Sequence, residues 1–576
     1  MRALLKSLKK SQKVVEPKKN GLSLPLLFAL YFSIFFFLFL PFPIEKSLPG
    51  NCDTWLAVAL SNTYLKNILT FFTEGEAFRS LYPTKNIFSF GESSPGLGLL
   101  FIICKIIFSN DLWAYFLFVV IQFSLTSFAF LLFANIFVNN LWASFLGGLF
   151  FCTNHFVFSN IDDTLIIFYF IPFLSLYFLH KSFKTINKNE FIISFLLLGL
   201  TPYFSFYLYF YFLVILFITF FLYKEDIKEF DYSFVLSSFM ISFIISSPLI
   251  FFYLQNSSNA SFVNPYNLPM VIKSTSLHGS DFFKALPNNL VKIKSHTANF
   301  QDPFWALLRR HAWIGLALPT LSVFGWFLSK GKKINKTMIL IGLIGLLLSL
   351  GPNVYIFGLK IKSPVSILYE WMPLSSFLRV PLRAYFITLI VLCFFSCFSF
   401  KFIFESGNRS RKLRAFILIL FIAVYFVENI PYPLKKYPSF SLEEPPKYYK
   451  LIDKVYRPRV VLNLPSFIRF DFLDSQNDLY SFNREILYMN WQTKLSHSIV
   501  NGVNGYIPRQ RLKLQSLLHN FKSSSSLNQL KKIGVEMILI HKNLFQGARE
   551  KDYYNFSSLN GLKIIENEKT HMLLGF

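Results

Sequence analysis

Three sets of polar residues interrupt a mostly apolar sequence, and each is of a type suited to a particular chemistry. The first lies in the stretch 44–94 and comprises Asp53, Tyr82, followed by Pro83, and Glu92. A carboxylate held beside a hydroxyl can take its proton as the oxygen attacks, which makes Asp53 a candidate general base. Glu92 and Tyr82 in the same stretch are candidates for holding an acceptor or a metal. The second set is Asp162-Asp163. Two adjacent acids can hold a divalent cation or position an acceptor, or they can cap the helix that follows, where negative charge meets the positive end of the dipole. The third is the run Leu378-Arg379-Val380-Pro381-Leu382-Arg383. On a helix Arg379 and Arg383 share a face, and Pro381 suits the first turn. Two guanidinium forks match a phosphate or pyrophosphate. The alternative for the arginines is anchorage on lipid head groups; for Asp53 it is ordinary solvation in a polar loop.

The elements that must position these residues are membrane helices. Hydrophobic residues make up 53% of the 576, and several apolar runs approach or exceed the length that crosses a bilayer. The first, residues 22–42, follows a basic tail, residues 1–21, whose first twenty residues carry seven Lys/Arg and one acid. That tail predicts a cytoplasmic N-terminus, and the run is too long, and lacks the small-residue site, for a cleaved signal. Further spans are expected at 112–137, 141–158, 164–180, 191–203, 204–223, 234–254, 313–328, 338–350, 380–402 and 415–429, giving about eleven in all. The pair between 191 and 223 shares Pro202 and could form one kinked segment.

A net charge of +26 would suggest nucleic acid in a soluble chain. Here the excess falls in the tail and in short loops near 181–190, 330–336 and 405–414, where it reads as an orientation signal; no nucleic-acid partner is expected. With loop 44–111 outside and 181–190 inside, an odd number of spans must separate them. The short stretch 96–108, which contains Lys105, is therefore expected to lie along the outer interface. This places the loops at 255–312 and 349–379 outside, together with everything after residue 432. The five cysteines form no CxxC pair and none falls in the C-terminal region, so neither a disulfide framework nor a zinc site is indicated.

Residues 432–576 change character. They are polar and mixed in charge, with strand-like runs at 459–464 and 535–541, helical spacing at 510–518 and 520–532, and a closing hairpin at 562–566 and 571–574. The fold class expected is an α-helical polytopic membrane domain, 22–431, followed by a small extracytoplasmic α/β domain.

Three stretches carry a resemblance: residues 51–55 with Tyr82-Pro83 and 90–98 (FGESSPGLG); Leu350-Gly351-Pro352 with 378–383 (LRVPLR); and 500–508 (VNGVNGYIP) with 534–541 (GVEMILIH). In these and in its layout the chain resembles bacterial multi-pass GT-C-type glycosyltransferases, in a branch with a periplasmic C-terminal domain. That family often carries an acidic pair in its first outer loop; Asp53 has no acidic neighbour. The resemblance implies a polyprenyl-phosphate sugar donor in the bacterial cytoplasmic membrane and an extracytoplasmic glycan, lipid or protein acceptor. It implies Asp53 as base, Arg379 and Arg383 on the lipid phosphate, and a divalent cation such as magnesium or manganese as a possible cofactor. The rival reading is a transporter or flippase of a lipid-linked saccharide. Transporters place ionisable residues and broken helices at mid-bilayer, whereas here the acids gather between the apolar runs.

Overall fold

The structure, a computed structural model, describes residues 23–45, 47–49, 58, 62, 94–161, 167–258, 262–263, 276, 315–329, 333–356, 359–367, 380–405, 411–430, 436–438, 445–464, 476–492, 494–495, 497–501, 507–508, 523–544 and 562–576. It is mostly helical, with a small sheet in the C-terminal part.

Each expected span range contains a helix. In chain order these are α1 (Leu24–Phe39), then α2 (Pro95–Ile107), α3 (Asp111–Val138), α4 (Leu141–Thr153), α5 (Phe170–Thr185), α6 (Lys188–Leu200), α7 (Phe206–Leu222), α8 (Tyr232–Ser258), α9 (Ala317–Leu328), α10 (Lys333–Ser349), α11 (Tyr385–Glu405) and α12 (Arg411–Asn429). Among the described residues four helical stretches are long and apolar enough to cross a membrane: Leu24–Ile44, Asp111–Val138, Tyr232–Phe251 and Pro381–Glu405. The other helices are shorter than that standard or less apolar, and some are cut by polar caps. Asn154 ends α4 and caps the short helix His155–Ser159 by accepting from the Phe156 amide at 2.9 Å. Pro202 lies in a 3-10 turn, Thr201–Tyr203, between α6 and α7. The chain reverses there, because Phe220 near the end of α7 returns to 6.2 Å from Phe191 at the start of α6. The kinked segment allowed by Pro202 is thus two helices.

α11 lies at the centre of the bundle. Its neighbours approach it through small residues, the usual device where lipid offers no hydrophobic drive between helices. A Cβ on Gly325 of α9 would overlap the Phe395 carbonyl, and one on Gly345 of α10 would stand 2.6 Å from Ile387. Hydroxyls add cross-links: Ser322 donates to the Leu392 carbonyl at 2.7 Å, and Thr388 to the Gly342 carbonyl at 3.0 Å.

The basic connections expected on one side of the membrane share one end of the bundle. Lys184 reaches the Ile136 carbonyl and Lys401 the Val138 carbonyl, while Asn140 donates to Glu405. Lys181 pairs with Glu190, Lys188 with Asp231, and Lys333 with Asp226. The connection 224–231, whose mixed charge pointed nowhere, joins this end.

The C-terminal region sits on the opposite end. Its helices are α13 (Lys447–Val455), α14 (Gln476–Gln492) and α15 (Ser524–Lys532). Its sheet contains β6 (Val460–Leu464), β7 (Ser498–Ile499), β9 (Met537–His541), β10 (Lys563–Asn567) and β11 (His571–Gly575), in the order β10-β11-β9-β6-β7. β6 is parallel to both β7 and β9, whereas β11 is antiparallel to β9 and to β10. The expected α/β character, strands and closing hairpin are present. α13 and α14 are additions. α14 has two apolar faces: Ile486 and Met489 join the core of the bundle, while Leu487, Tyr488 and Trp491 join the core beneath the sheet. Two short ladders stitch the halves further: β1 (Ser47–Pro49) pairs with β5 (Lys436–Pro438), and β2 (Phe262–Val263) with β8 (Ile507–Pro508). A further hairpin, β3 (Asn353–Ile356) with β4 (Leu359–Lys362), follows α10.

Candidate functional site

The described site lies where the bundle meets the C-terminal domain. Residues Pro381–Ala384 form a 3-10 turn that runs into α11, with Pro381 at its first position as expected. Arg383 is buried, at 7% exposure. Its guanidinium lies 4.2 Å from the centre of the Tyr207 ring, in the first turn of α7. Removing a guanidinium from water is costly unless anions, hydrogen bonds or aromatic faces replace the solvent, and the Tyr207 ring supplies one such face. Val380, at φ −119° and ψ 81°, is not helical. The helical four-residue spacing assumed for the two arginines therefore does not extend back across Val380, and Arg379 itself lies outside the described residues.

The second resembling stretch comes together in space. Gly351 has φ +68°, a conformation open to glycine, and a Cβ there would overlap the Ser276 hydroxyl and stand 3.1 Å from the Pro381 ring. The Leu350-Gly351-Pro352 turn thus abuts Pro381 of the LRVPLR stretch, with Ser276 of the 255–312 loop beside them. The same loop pairs through Phe262–Val263 with Ile507–Pro508 of the third stretch. From the first stretch, Gly96 and Gly98 are buried in α2, and a Cβ on Gly96 would meet the Phe204 ring at 2.7 Å. The remaining sequence candidates, Asp53, Tyr82, Glu92, Asp162 and Asp163, lie outside the described residues. No group of three or more His, Cys, Asp or Glu residues able to hold a metal occurs among the described residues.

Sequence reasoning missed several polar residues at this end. Asp111, in the first turn of α3, is buried against Lys105, Asn62 at 3.1 Å and Lys494 of the C-terminal domain at 4.0 Å. Its carboxylate ties Asn62 of the stretch 44–94, α2 and the C-terminal domain together. Asn429 accepts from Asn154 at 3.0 Å and from the His155 amide at 3.3 Å. Glu428 accepts the Leu316 and Ala317 amides at 3.0 Å, capping α9. The available signal was position: Glu428-Asn429 closes the last apolar run, where charge has no reason to be unless it meets a partner.

A second polar centre lies at the carboxyl ends of the parallel strands. In sheets of this kind ligands gather at such ends, where the strand order reverses. Here the place between β6 and β9 is filled by the protein itself. His541, the last residue of β9, has Nε2 2.9 Å from Asn463 Oδ1 and Nδ1 2.7 Å from the Tyr448 hydroxyl. With Nε2–H donating to the amide oxygen, Nδ1 accepts from the phenol, which requires a neutral ring. Burial lowers the His541 pKa to about 3, with the nearby His571 and Arg484 charges acting in the same direction. Beside it, His497 Nδ1 lies 2.6 Å from Asp453, and Nε2 lies 3.1 Å from the Tyr449 hydroxyl. Tyr449 is fully buried, and burial pushes its phenol well above the ordinary value. An Asp-His-Tyr chain closed off in this way holds α13 to the sheet and offers no reactive oxygen to a substrate.

No protein-family profile and no curated protein sequence matches this chain. Length and composition of the apolar helices make it a membrane-associated, mostly helical protein.

Proposed function

We propose that the chain is an integral membrane glycosyltransferase that moves a sugar from a polyprenyl-phosphate donor to an extracytoplasmic acceptor. The observation that supports this reading best is Arg383: a buried guanidinium at the mouth of the bundle, beneath a folded polar domain and at the end opposite the basic connections. A lipid phosphate whose polyprenyl chain stays in the bilayer must sit at such a level. An Arg fork there can grip two phosphate oxygens and stabilise the charge that grows as the lipid leaves. In the transfer the acceptor oxygen bonds to the anomeric carbon and the bond from that carbon to the phosphate oxygen breaks. The acceptor proton passes to the Asp53 carboxylate, and the polyprenyl phosphate departs with the electron pair.

Donor titration of purified protein in nanodiscs tests the reading. Arg383→Lys keeps the charge but loses the fork, and Arg383→Ala loses both. A charge-assisted contact of this kind is worth about 1.5–3 kcal/mol, so Ala is expected to weaken donor use by about one to two decades, with Lys in between. A Lys variant with the wild-type donor response is what anchorage on head groups would give, and it would refute the phosphate role.

A further inference from the structure

We propose that Gln122 contacts the glycosyl group of the donor and takes part in choosing which sugar is accepted. The inference rests on the glycosyltransferase reading and extends it to a residue inside the apolar bundle. Gln122 lies in α3, is fully buried, and neither its amide oxygen nor its amide nitrogen has a hydrogen-bond partner. Two unsatisfied amide atoms in an apolar interior are costly, and a methionine would fill the same space without that cost. Such an exception calls for a partner that arrives from outside the chain.

Gln122 also belongs to a pattern. At 3.6 residues per turn, Asp111, Tyr115, Gln122 and Thr126 fall within about 60° of one another around α3. All four are buried. They form a polar stripe that begins at the C-terminal domain, where Asp111 meets Lys494, and runs inward. Its inner end is marked by Thr126, whose hydroxyl lies 3.4 Å from the Ile167 carbonyl.

The level of the stripe matches that of Arg383. α3 has 28 residues, about 42 Å of helix, longer than a hydrocarbon core of about 30 Å. Phe123, next to Gln122, packs on Phe39 at the end of α1 and on Phe158 just past the end of α4. Gln122 therefore lies where neighbouring helices end. From Ile167 the path continues through Tyr169, whose ring is 4.9 Å from Phe386. Phe386 stands three residues after Arg383 and packs 5.5 Å from Tyr211, one turn along α7 from Tyr207. Tyr169, Phe386 and Tyr211 thus form an aromatic cluster on the path from the turn that carries Gln122 to the turn that carries Arg383. A donor whose phosphate is held by Arg383 carries its sugar one bond away. A primary amide, with two donors and an acceptor, suits the hydroxyls of that sugar.

The test measures binding, by thermal shift in nanodiscs, of farnesyl phosphate and of its glucosyl, galactosyl, mannosyl and N-acetylglucosaminyl esters. Wild type, Gln122→Met and Arg383→Ala are compared. The expected result is that wild type binds at least one ester more tightly than the bare phosphate. Gln122→Met should melt no lower than wild type, bind the bare phosphate normally, and lose about tenfold of the preference for that ester, the worth of one or two hydrogen bonds. Arg383→Ala should weaken every probe. A Gln122→Met protein that keeps the full preference overturns the assignment and leaves the glycosyltransferase reading standing, since the amide then serves a trapped water or nothing. Wild-type protein that binds none of the probes, or does not distinguish ester from bare phosphate, overturns both. A Gln122→Met protein that melts lower than wild type and loses the bare phosphate as well also overturns it, because the amide is then structural.

Discussion

Acid should loosen the C-terminal domain through His541, and by an amount that follows from its surroundings. The ring is fully buried between Asn463 of β6 and Tyr448 of α13, with Tyr488 and Trp491 of α14 packed around it. Among the described residues no carboxylate is hydrogen-bonded to the ring, whose partners are Asn463 and Tyr448. His571 on β11 and Arg484 on α14 both lower its pKa; Glu566 faces His571 at 3.4 Å, and Asp453 faces His497 at 2.6 Å. The pKa falls from the ordinary 6.5 to about 3. Below pH 6.5 the unfolded chain therefore binds a proton that the folded domain refuses, and stability declines as pH falls from 6.5 towards 3. Each unit is worth about 1.4 kcal/mol, so the loss between pH 7.5 and pH 5 is about 2 kcal/mol from this residue alone.

Hydrogen exchange of β6 and β9 in detergent, corrected for intrinsic rates, reads this directly, because protection in core strands reports the free energy of opening. About 2 kcal/mol corresponds to about a thirtyfold loss of protection. The decisive quantity is the difference between wild type and His541→Gln, whose amide can still donate to Asn463 and has no proton to gain. The variant should lose most of the thirtyfold effect. Equal pH dependence in the two proteins would show that His541 is not held neutral and would refute the argument.

Gly325→Ala should lower the yield of folded protein sharply, since a methyl group there overlaps the Phe395 carbonyl and must force α9 away from α11; monodispersity in detergent beside Gly315-neighbouring control Leu316→Ala, exposed at 72%, is the readout. Orientation is checked by Leu451→Cys, an exposed position on α13, in a Cys52→Ser background. Cys104, Cys152, Cys393 and Cys397 are buried, so an impermeant thiol reagent should label the new cysteine in intact cells, and labelling only after permeabilisation would invert the proposed topology.

What could be read from the sequence follows from where the signal resides. Apolar runs and their caps are local, so a helix in each apolar run, the strands β6 and β9 and the closing hairpin were legible. Basic loops converge on one end because their charges cannot enter lipid, and that constraint acts on each loop separately. α14 was not legible. Its apolar residues serve two different cores, Ile486 and Met489 one way and Tyr488 and Trp491 the other, so no single stripe recurs at helical spacing. The Asn154–Asn429 contact spans 275 residues, and neither amide marks the other in sequence.

Gln122 was overlooked for a related reason. Charge stands out in an apolar run, and these runs carry little. In hydrocarbon a neutral amide without a partner poses the same problem as a charge, at smaller cost. It escapes a hydropathy reading because one Gln scarcely alters the mean of an 18-residue window. The spacing 111, 115, 122, 126 was present in the sequence all along. It gains meaning only once α3 is seen to be buried on nearly every side, for then a polar stripe cannot be a solvated face. On an exposed helix the same four residues would need no explanation; inside this bundle they line one buried face of α3, and both amide atoms of Gln122 are left without a partner.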